Sequence, residues 1–380
     1  MKMKFKVISA LLALMLTGSV CLCINSQAIG ASAQSAIVID ADTGEIIYGK
    51  NESEKLPMAS TTKIMTVLIA LEQENLDEEF VVDAEAIQVE GSSMGLKEGY
   101  KVTLLKLCYG MMLASGNDAA NAAAVRISGS VDDFVELMNE RAEQLGLKST
   151  HFVTPSGLDD YTDEHYSTAY DMAILMKAAL ENETFREIIS TRTMTVDFGD
   201  GNSNTITNTN KLFDYCDGII GGKTGFTDKA RRCLVSACER NGATLICVTL
   251  NAPDDWNDHT ALFDSCFSSY KSVTLTPSAN SFKLPIVGGE KSYFKAECES
   301  VTRSIFSGDT DNVREVIVIQ PFYYAPIDKG DIVGEVRFMI NGEVIATSTI
   351  TAVSSVKQDD EELGLLDRIE LFFKNIFHRR

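Results

Sequence analysis

Residues 218–235 read "GIIGGKTGFTDKARRCLV". Two glycines precede Lys223-Thr224-Gly225 and Phe226, and an apolar run begins at Cys233. Glycines beside a strand mark a bulge, a turn or a place where another backbone comes close. A Lys-Thr-Gly triplet alone is common surface sequence, so its meaning rests on its surroundings. Downstream, "CLVSACERNGATLICVTLNAP" reads as strand, turn, strand, and "NDHTALFDSCFSSYK" as a helix closing on the sheet.

Upstream, "SAIVIDADTGEIIYGK" is a hairpin with Asp42, Thr43 and Gly44 in its turn. Apolar positions three and four apart in "TTKIMTVLIALEQE", "LLKLCYGMMLAS", "DDFVELMNERAEQLG" and "AYDMAILMKAALEN" predict helices. Together these make an α+β fold, an antiparallel sheet flanked by helices. From Val273 the texture changes to short strands separated by turns. Asn341-Gly342 is a hairpin signal there. That second region is a small all-β domain with no gathered catalytic groups.

The two termini differ from both. "MKMKFK" followed by apolar Val7–Ile24 has the form of a signal peptide, with Ala31 and Ala33 at the spacing a peptidase reads. Cleavage is expected after Ala33; an uncleaved anchor is the alternative for a stretch of this length. Cys21 and Cys23 follow bulky Val20 and Leu22, which argues against lipidation. Removing residues 1–33 takes three lysines and no acid. The 34 basic residues fall to 31 against 54 acidic ones, and net charge goes from −20 to −23. Such a surface repels nucleic acid. The seven remaining cysteines show neither a disulfide framework nor metal-site spacing and read as small core residues. At the other end, Leu366, Ile369, Phe373, Ile376 and Phe377 share one face of a helix expected over about 362–380, widened by Leu365 and Phe372. Arg368, Lys374, Arg379 and Arg380 add positive charge, which suits an interfacial membrane helix. A helix docked on its own domain, or against a second copy, is the alternative.

Three short patterns carry the chemistry. Ser60 opens a helix, and Lys63 follows one turn on, on the same face. A helix start also favours negative charge on the serine oxygen. The same spacing recurs at Ser268/Lys271, Ser292/Lys295 and Ser354/Lys357, but no helix start orients those pairs. Ser115-Gly116-Asn117 forms a corner between two helices and supplies a hydroxyl and an amide. Lys223-Thr224-Gly225 on an edge strand adds a cation, a hydroxyl and a position without a side chain.

In this order, Ser60-x-x-Lys63, Ser115-Gly116-Asn117 and Lys223-Thr224-Gly225 resemble the active-site set of penicillin-binding proteins and serine β-lactamases. "DADTGEIIYGKN", "LPMASTTKIMT", "ASGNDAAN", "HYSTAYDMA" and "GGKTGFTDKA" look like the low-molecular-weight D-alanyl-D-alanine carboxypeptidases. The resemblance implies a penicillin-binding transpeptidase fold over 34–271, after a signal peptide at 1–33. A small β domain over 272–356 follows, then an acidic linker and amphipathic anchor over 357–380. It implies a monomer on the outer face of the cytoplasmic membrane, held to an anionic lipid surface by its last helix. Its substrate would be a peptidoglycan stem peptide ending in D-Ala-D-Ala, and β-lactams would bind covalently, with no metal or cofactor.

The roles follow the same resemblance. Ser60 is the nucleophile and Lys63 its base. Ser115 and Lys223 relay a proton, and the backbone N–H groups of Ser60 and Phe226 form the oxyanion hole. Asn117, Lys223, Thr224 and Gly225 hold substrate. Two departures bear on turnover. Ser156 stands where many relatives have histidine, and "NAPDDWNDHT" lacks a carboxylate-binding arginine, leaving Arg231 or Arg232 as substitutes. A catalytically weak penicillin-binding protein is one alternative. A β-lactamase is another; its usual Glu-x-x-x-Asn pattern is not met at Glu164, which has Thr168 four residues on.

Overall fold

The computed structural model describes residues 30–359 except 161 and 200. The apolar signal segment before residue 30 and the helix expected over about 362–380 lie outside the described residues. Strands β1 (Ser35–Asp40) and β2 (Ile46–Lys50) form the expected hairpin. Helix α1 (Lys63–Leu71) runs through the interior with every residue buried, as expected of a segment apolar on all sides. After the short β3 (Phe80–Val81) and β4 (Lys101–Val102) come α2 (Leu104–Leu113), α3 (Asn117–Ser128), α4 (Val131–Gln144) and α5 (Ala169–Leu180). Side-chain oxygens of Thr103, Ser130 and Thr168 cap α2, α4 and α5, satisfying amides that a helix start leaves open.

Besides the short β3 and β4, the sequence reading does not give α6 (Glu183–Ser190) or the hairpin of β5 (Thr193–Gly199) and β6 (Asn202–Thr207). β7 (Ile219–Thr227), β8 (Arg231–Arg240) and β9 (Ala243–Leu250) complete a five-stranded antiparallel sheet in the order β2-β1-β9-β8-β7. α7 (Asp255–Ser268) lies on β8 and β9. Side chains alternate between the sheet's faces. Ile37, Ile39, Ile246 and Val248 pack with the helical core around α1, while Ala36, Val38, Leu245 and Cys247 pack against Leu262, Phe263 and Cys266 of α7. A strand buried on both faces needs an unbroken apolar run, and β1 and β9 have one. All seven described cysteines are unpaired and buried.

The segment just before β1 is tied to α7. Ser32 donates from its N–H and its hydroxyl to Asp258 (2.8 and 2.7 Å), and Lys50 Nζ donates to the carbonyls of Ala31 and Ala33 (2.7 and 2.6 Å). Cleavage after Ala33 would remove these contacts.

The second region is all-β. β10 (Tyr270–Leu275) pairs with β13 (Val301–Phe306). A six-stranded sheet takes the order β14-β16-β17-β12-β11-β15 from β11 (Ser281–Val287), β12 (Tyr293–Glu297), β14 (Arg314–Ile319), β15 (Tyr323–Tyr324), β16 (Ile332–Ile340) and β17 (Glu343–Ala352). Its core, including Leu284, Phe294, Val336, Phe338 and Ile350, is separate from that of the first region. Asn341 (φ 52°) and Gly342 (φ 95°) make the β16–β17 turn, the left-handed pair that a tight hairpin favours. The two regions meet where Arg303 pairs with Asp42 and the Tyr270 hydroxyl donates to Asp40 at 2.6 Å.

Candidate active site

Ser60 sits in a single 3-10 turn (Ala59–Thr62) that leads straight into α1, a tighter start than the plain helix expected. The residue before it, Ala59, is left-handed at φ 49°. That conformation is uncommon for a residue with a Cβ and persists where neighbours fix it. The Thr62 hydroxyl donates to the Ala59 carbonyl at 2.8 Å and lies 2.8 Å from His165 Nε2. Because Val153 N–H donates to His165 Nδ1 (3.0 Å), the ring proton is on Nε2 and points to Thr62. Burial holds His165 neutral, its pKa pushed down to about 3. Gly157 (φ 90°) closes the turn from the other side; a Cβ there would fall 2.0 Å from the Ala59 oxygen.

Lys63, the first residue of α1, is fully buried beneath Ser60. Its Nζ lies 2.9 Å from Ser60 Oγ, 2.7 Å from Asn117 Oδ1 and 2.6 Å from the Ser156 carbonyl. Burial first, and the Lys223 ammonium second, press its pKa well below the usual lysine range. Ser156 therefore acts here through its backbone, which a histidine would supply equally.

Ser115 is also left-handed, at φ 57°. Its hydroxyl accepts from Lys223 Nζ at 3.0 Å, and the same amine donates to the Thr224 carbonyl at 2.7 Å. Burial alone brings Lys223 down to about 7. Asn117 donates from Nδ2 to the Glu90 carbonyl (2.7 Å) while its Oδ1 accepts from Lys63, so its amide ties this corner to the Ser60 helix. Asp118, which the sequence reading passed over, receives the amides of Met94, Gly95 and Leu96 and holds the 90–96 loop against this corner. Its place in the first turn of α3 is visible in the sequence but does not name the loop it holds.

β7 lies at the open edge of the sheet, as expected for a strand bearing Lys223-Thr224-Gly225. At Gly225 a Cβ would lie 3.0 Å from the Met58 oxygen and 3.2 Å from Ser60 N, so this glycine lets β7 approach the Ser60 turn. Between them runs a groove of about 350 Å³, lined by Ser60, Ser92, Ser115, Thr209, Thr224, Gly225, Phe226, Arg232 and Trp256. Phe226 is more than half exposed on its rim. Thr209 shares a 2.9 Å hydrogen bond with Thr224.

Of the two candidate arginines, Arg232 lines this groove and Arg231 stacks on Phe226. Arg232 is held by Asp255 (Nε 3.0 Å, Nη2 2.5 Å) and lies over the Trp256 ring. Asp255 and Trp256 belong to the acidic "NAPDDWNDHT" segment, whose role no sequence signal disclosed.

Residues 24–254 match the family model described as D-alanyl-D-alanine carboxypeptidase. The chain belongs to the D-alanyl-D-alanine carboxypeptidase family. It is therefore a serine hydrolase, and residues 270–358 match a second model, the C-terminal domain of penicillin-binding protein 5. This carboxypeptidase is similar to D-alanyl-D-alanine carboxypeptidase DacF of Bacillus subtilis, 33% identical over 337 residues and 86% of each chain. It is 36% identical over 242 residues to DacB2 of Mycobacterium tuberculosis, 62% of this chain and 82% of that one. The crystal structure of the Streptomyces K15 DD-transpeptidase superposes with a TM-score of 0.60 at 32% identity, covering 63% of this chain and 98% of that one. The carboxypeptidase DacD of Francisella tularensis gives 0.60 at 27% identity, over 86% and 94%. Relative to the β-lactamase alternative, Glu164 is exposed on the surface, with its carbonyl bonded to the His151 ring.

Proposed function

We propose that this carboxypeptidase removes the terminal D-alanine of peptidoglycan stem peptides through an acyl-enzyme on Ser60, with Lys63 as the base. The observation that carries this reading is the setting of Lys63 Nζ. Two of its neighbours, Asn117 Oδ1 and the Ser156 carbonyl, can only accept, and they use both N–H bonds of a neutral amine. Its lone pair then faces Ser60, whose O–H donates to it across 2.9 Å. Burial favours that neutral form.

In the forward step Ser60 Oγ bonds to the carbonyl carbon between the two D-alanines as its proton moves to Lys63. The Ser60 and Phe226 amides would hold the oxyanion; one such donor is typically worth about 3 kcal/mol. Collapse breaks the C–N bond, and the departing amine takes a proton through Ser115 from Lys223. The proton held by Lys63 then passes to the neutral Lys223, which leaves Lys63 free to take a proton from water; attack of that water releases the shortened peptide and returns the proton to Ser60. β-lactams enter by the same first step. Thr224, Gly225 and Asn117 align the peptide along β7. Arg232 lines the groove and is steadied by Asp255, which supports its standing in for the missing arginine at the terminal carboxylate.

The signal-like amino terminus and basic amphipathic carboxyl terminus support an exported enzyme bound peripherally to the cytoplasmic membrane. The buried contacts of Ala31–Ala33 favour processing upstream, after Ala28 in "NSQA". No helix among the described residues is long and apolar enough to cross a membrane. The test is mass spectrometry after incubation with a fluorescent penicillin and with a D-Ala-D-Ala peptide. A serine adduct should map to Ser60 and vanish in Ser60→Ala, and Lys63→Arg should fold yet fail to acylate, since guanidinium stays protonated. An adduct on Ser115, or a fast Lys63→Arg enzyme, would overturn the assignment.

A further inference from the structure

The six-stranded sheet has two distinct ends. One faces the catalytic region: the β16–β17 turn at Asn341-Gly342 is there, and Ile340 and Ile345 adjoin Asp40, Asp42 and Arg303. Register fixes what lies at the other end. Ile332 pairs with Thr351 near the close of β17, and Ile319, the last residue of β14, pairs with Gly334. Ala296 pairs with Ala352, so β12 begins at this end and β11 finishes there, with Val287 opposite Tyr324 of β15. Large apolar or aromatic side chains face solvent at this end, among them Ile332 (71% exposed), Tyr324 (68%), Val287 (51%) and Phe322 (44%). Phe322 and Tyr324 touch edge to face at 5.4 Å. Burying such groups is favourable, and one end of a small domain rarely leaves several uncovered without a partner.

The position of the chain's exit identifies the occupant. Residue 359 donates its N–H to the Gly288 carbonyl, so the described chain leaves the domain beside Val287. The next 21 residues carry the apolar and basic pattern read above as an interfacial helix. A segment that lies in a bilayer surface brings the point where it joins the fold to that surface. Charges at this end nearly cancel, with Lys291, Lys329 and Lys357 beside Glu290, Asp328, Asp331 and Asp359. The attraction is therefore apolar and aromatic, and tyrosine is a side chain enriched at the membrane–water boundary.

We propose that the distal end of the β domain is a second membrane contact, in which Val287, Phe322, Tyr324 and Ile332 enter the lipid interface beside the anchor. This rests on the anchor reading. With two contacts the domain stands upright on the bilayer. β16 rises about 3.3 Å per residue, so its nine residues hold the catalytic region about 30 Å away.

The experiment uses the processed full-length chain and vesicles of phosphatidylcholine with phosphatidylglycerol. Tyr324→Cys supplies a labelling site for an environment-sensitive fluorophore, because the seven native described cysteines are buried. Brominated acyl chains should quench that label, and the triple variant Phe322→Ser/Tyr324→Ser/Ile332→Ser should lower vesicle partitioning by about tenfold with the tail present. Full-length protein that pellets with vesicles, yet shows no quenching and no loss in the triple variant, would sink the second contact and leave the anchor standing. Failure of the full chain to pellet would remove both. A triple variant that instead loses self-association in sedimentation velocity would reassign this end to a contact between copies.

Discussion

The catalytic region and the β domain treat polar and apolar side chains in opposite ways. The first buries two lysines, two histidines and several acids, among them Lys63, Lys223, His165 and His259. The second keeps a modest apolar core and turns Ile317, Val318, Tyr324 and Ile332 toward solvent. Burying a charge is costly unless the group is neutralised or paired, and burial accordingly lowers the pKa of both lysines and holds both histidines neutral. Exposing apolar surface is costly unless something covers it. On the readings proposed above, one half serves reaction and the other attachment.

Acid should separate the two most sharply. His165 and His259 both have pKa values pushed down to about 3 by burial. In the unfolded chain they titrate near 6.5, so below that pH the unfolded state binds protons the native state refuses. Their contribution is complete above 6.5 and is lost as pH falls toward 3. At pH 5 each removes about 2 kcal/mol from the catalytic region. The β domain has no histidine among its described residues. At the junction Glu45, raised to about 7 by its hydrogen bond to Asp309, takes up a proton in the native state, so its share grows as pH falls through 7. Urea unfolding at pH 7.5 and pH 5, followed by the single tryptophan Trp256, should show an early transition at the lower pH. His259→Gln should recover about half of the shift. Equal midpoints at the two pH values would break the comparison.

Much of this was legible beforehand, for physical reasons that differ by residue. Ser60, Lys63, Ser115 and Lys223, which the structure brings together, could be singled out because the spacing of a helix turn and of a strand edge is written directly in sequence. The buried strands β1 and β9 and the Asn341-Gly342 turn were legible in the same way. Helix α6 and the β5–β6 hairpin were missed, since "ETFREIIS" is only two turns long and "NSNTIT" is polar on both faces. His165 and Asp118 were missed because their worth lies in contacts to chain far away in sequence. Nothing near His165 announces Thr62, and nothing near Asp118 announces the loop at 93–96.

Within the catalytic region the two buried amines should be separable by pH. On the proposed mechanism Lys63 must be neutral to accept the serine proton, so acylation should fall on the acid side, with burial first and the Lys223 ammonium second pressing its pKa well below the usual lysine range. Lys223 must be charged to supply the leaving group, so a second limb should fall as pH rises through about 7. The apparent values belong to the pair, because each amine feels the other. At pH 9 the wild type should run about 100-fold below its optimum. Lys223→Arg, which stays protonated, should lower the plateau and erase the alkaline limb while keeping the acid one. An alkaline limb unchanged in that variant would assign it to another group. Penicillin labelling at pH 7 reports that the site of the variant is intact.

The smallest effect expected concerns the groove's far wall, where polar and apolar groups share one task. Arg232 spans the face of Trp256 and the carboxylate of Asp255, whose own pKa is raised by burial. An arginine braced on two sides presents its remaining N–H groups in a fixed direction, as recognition of a carboxylate requires. Its partner Asp255 offsets part of the charge, which limits the gain on binding an anion. Arg232→Gln should therefore raise KM for a D-Ala-D-Ala peptide by roughly tenfold, close to 1.4 kcal/mol, with little change in kcat. The same peptide with its carboxyl group amidated should bind the wild type and the variant alike, because it has no anion to lose. Steady-state kinetics with both peptides makes the distinction. A loss of equal size on the amidated peptide would mean that Arg232 shapes the wall through Trp256 and does not hold the substrate's charge.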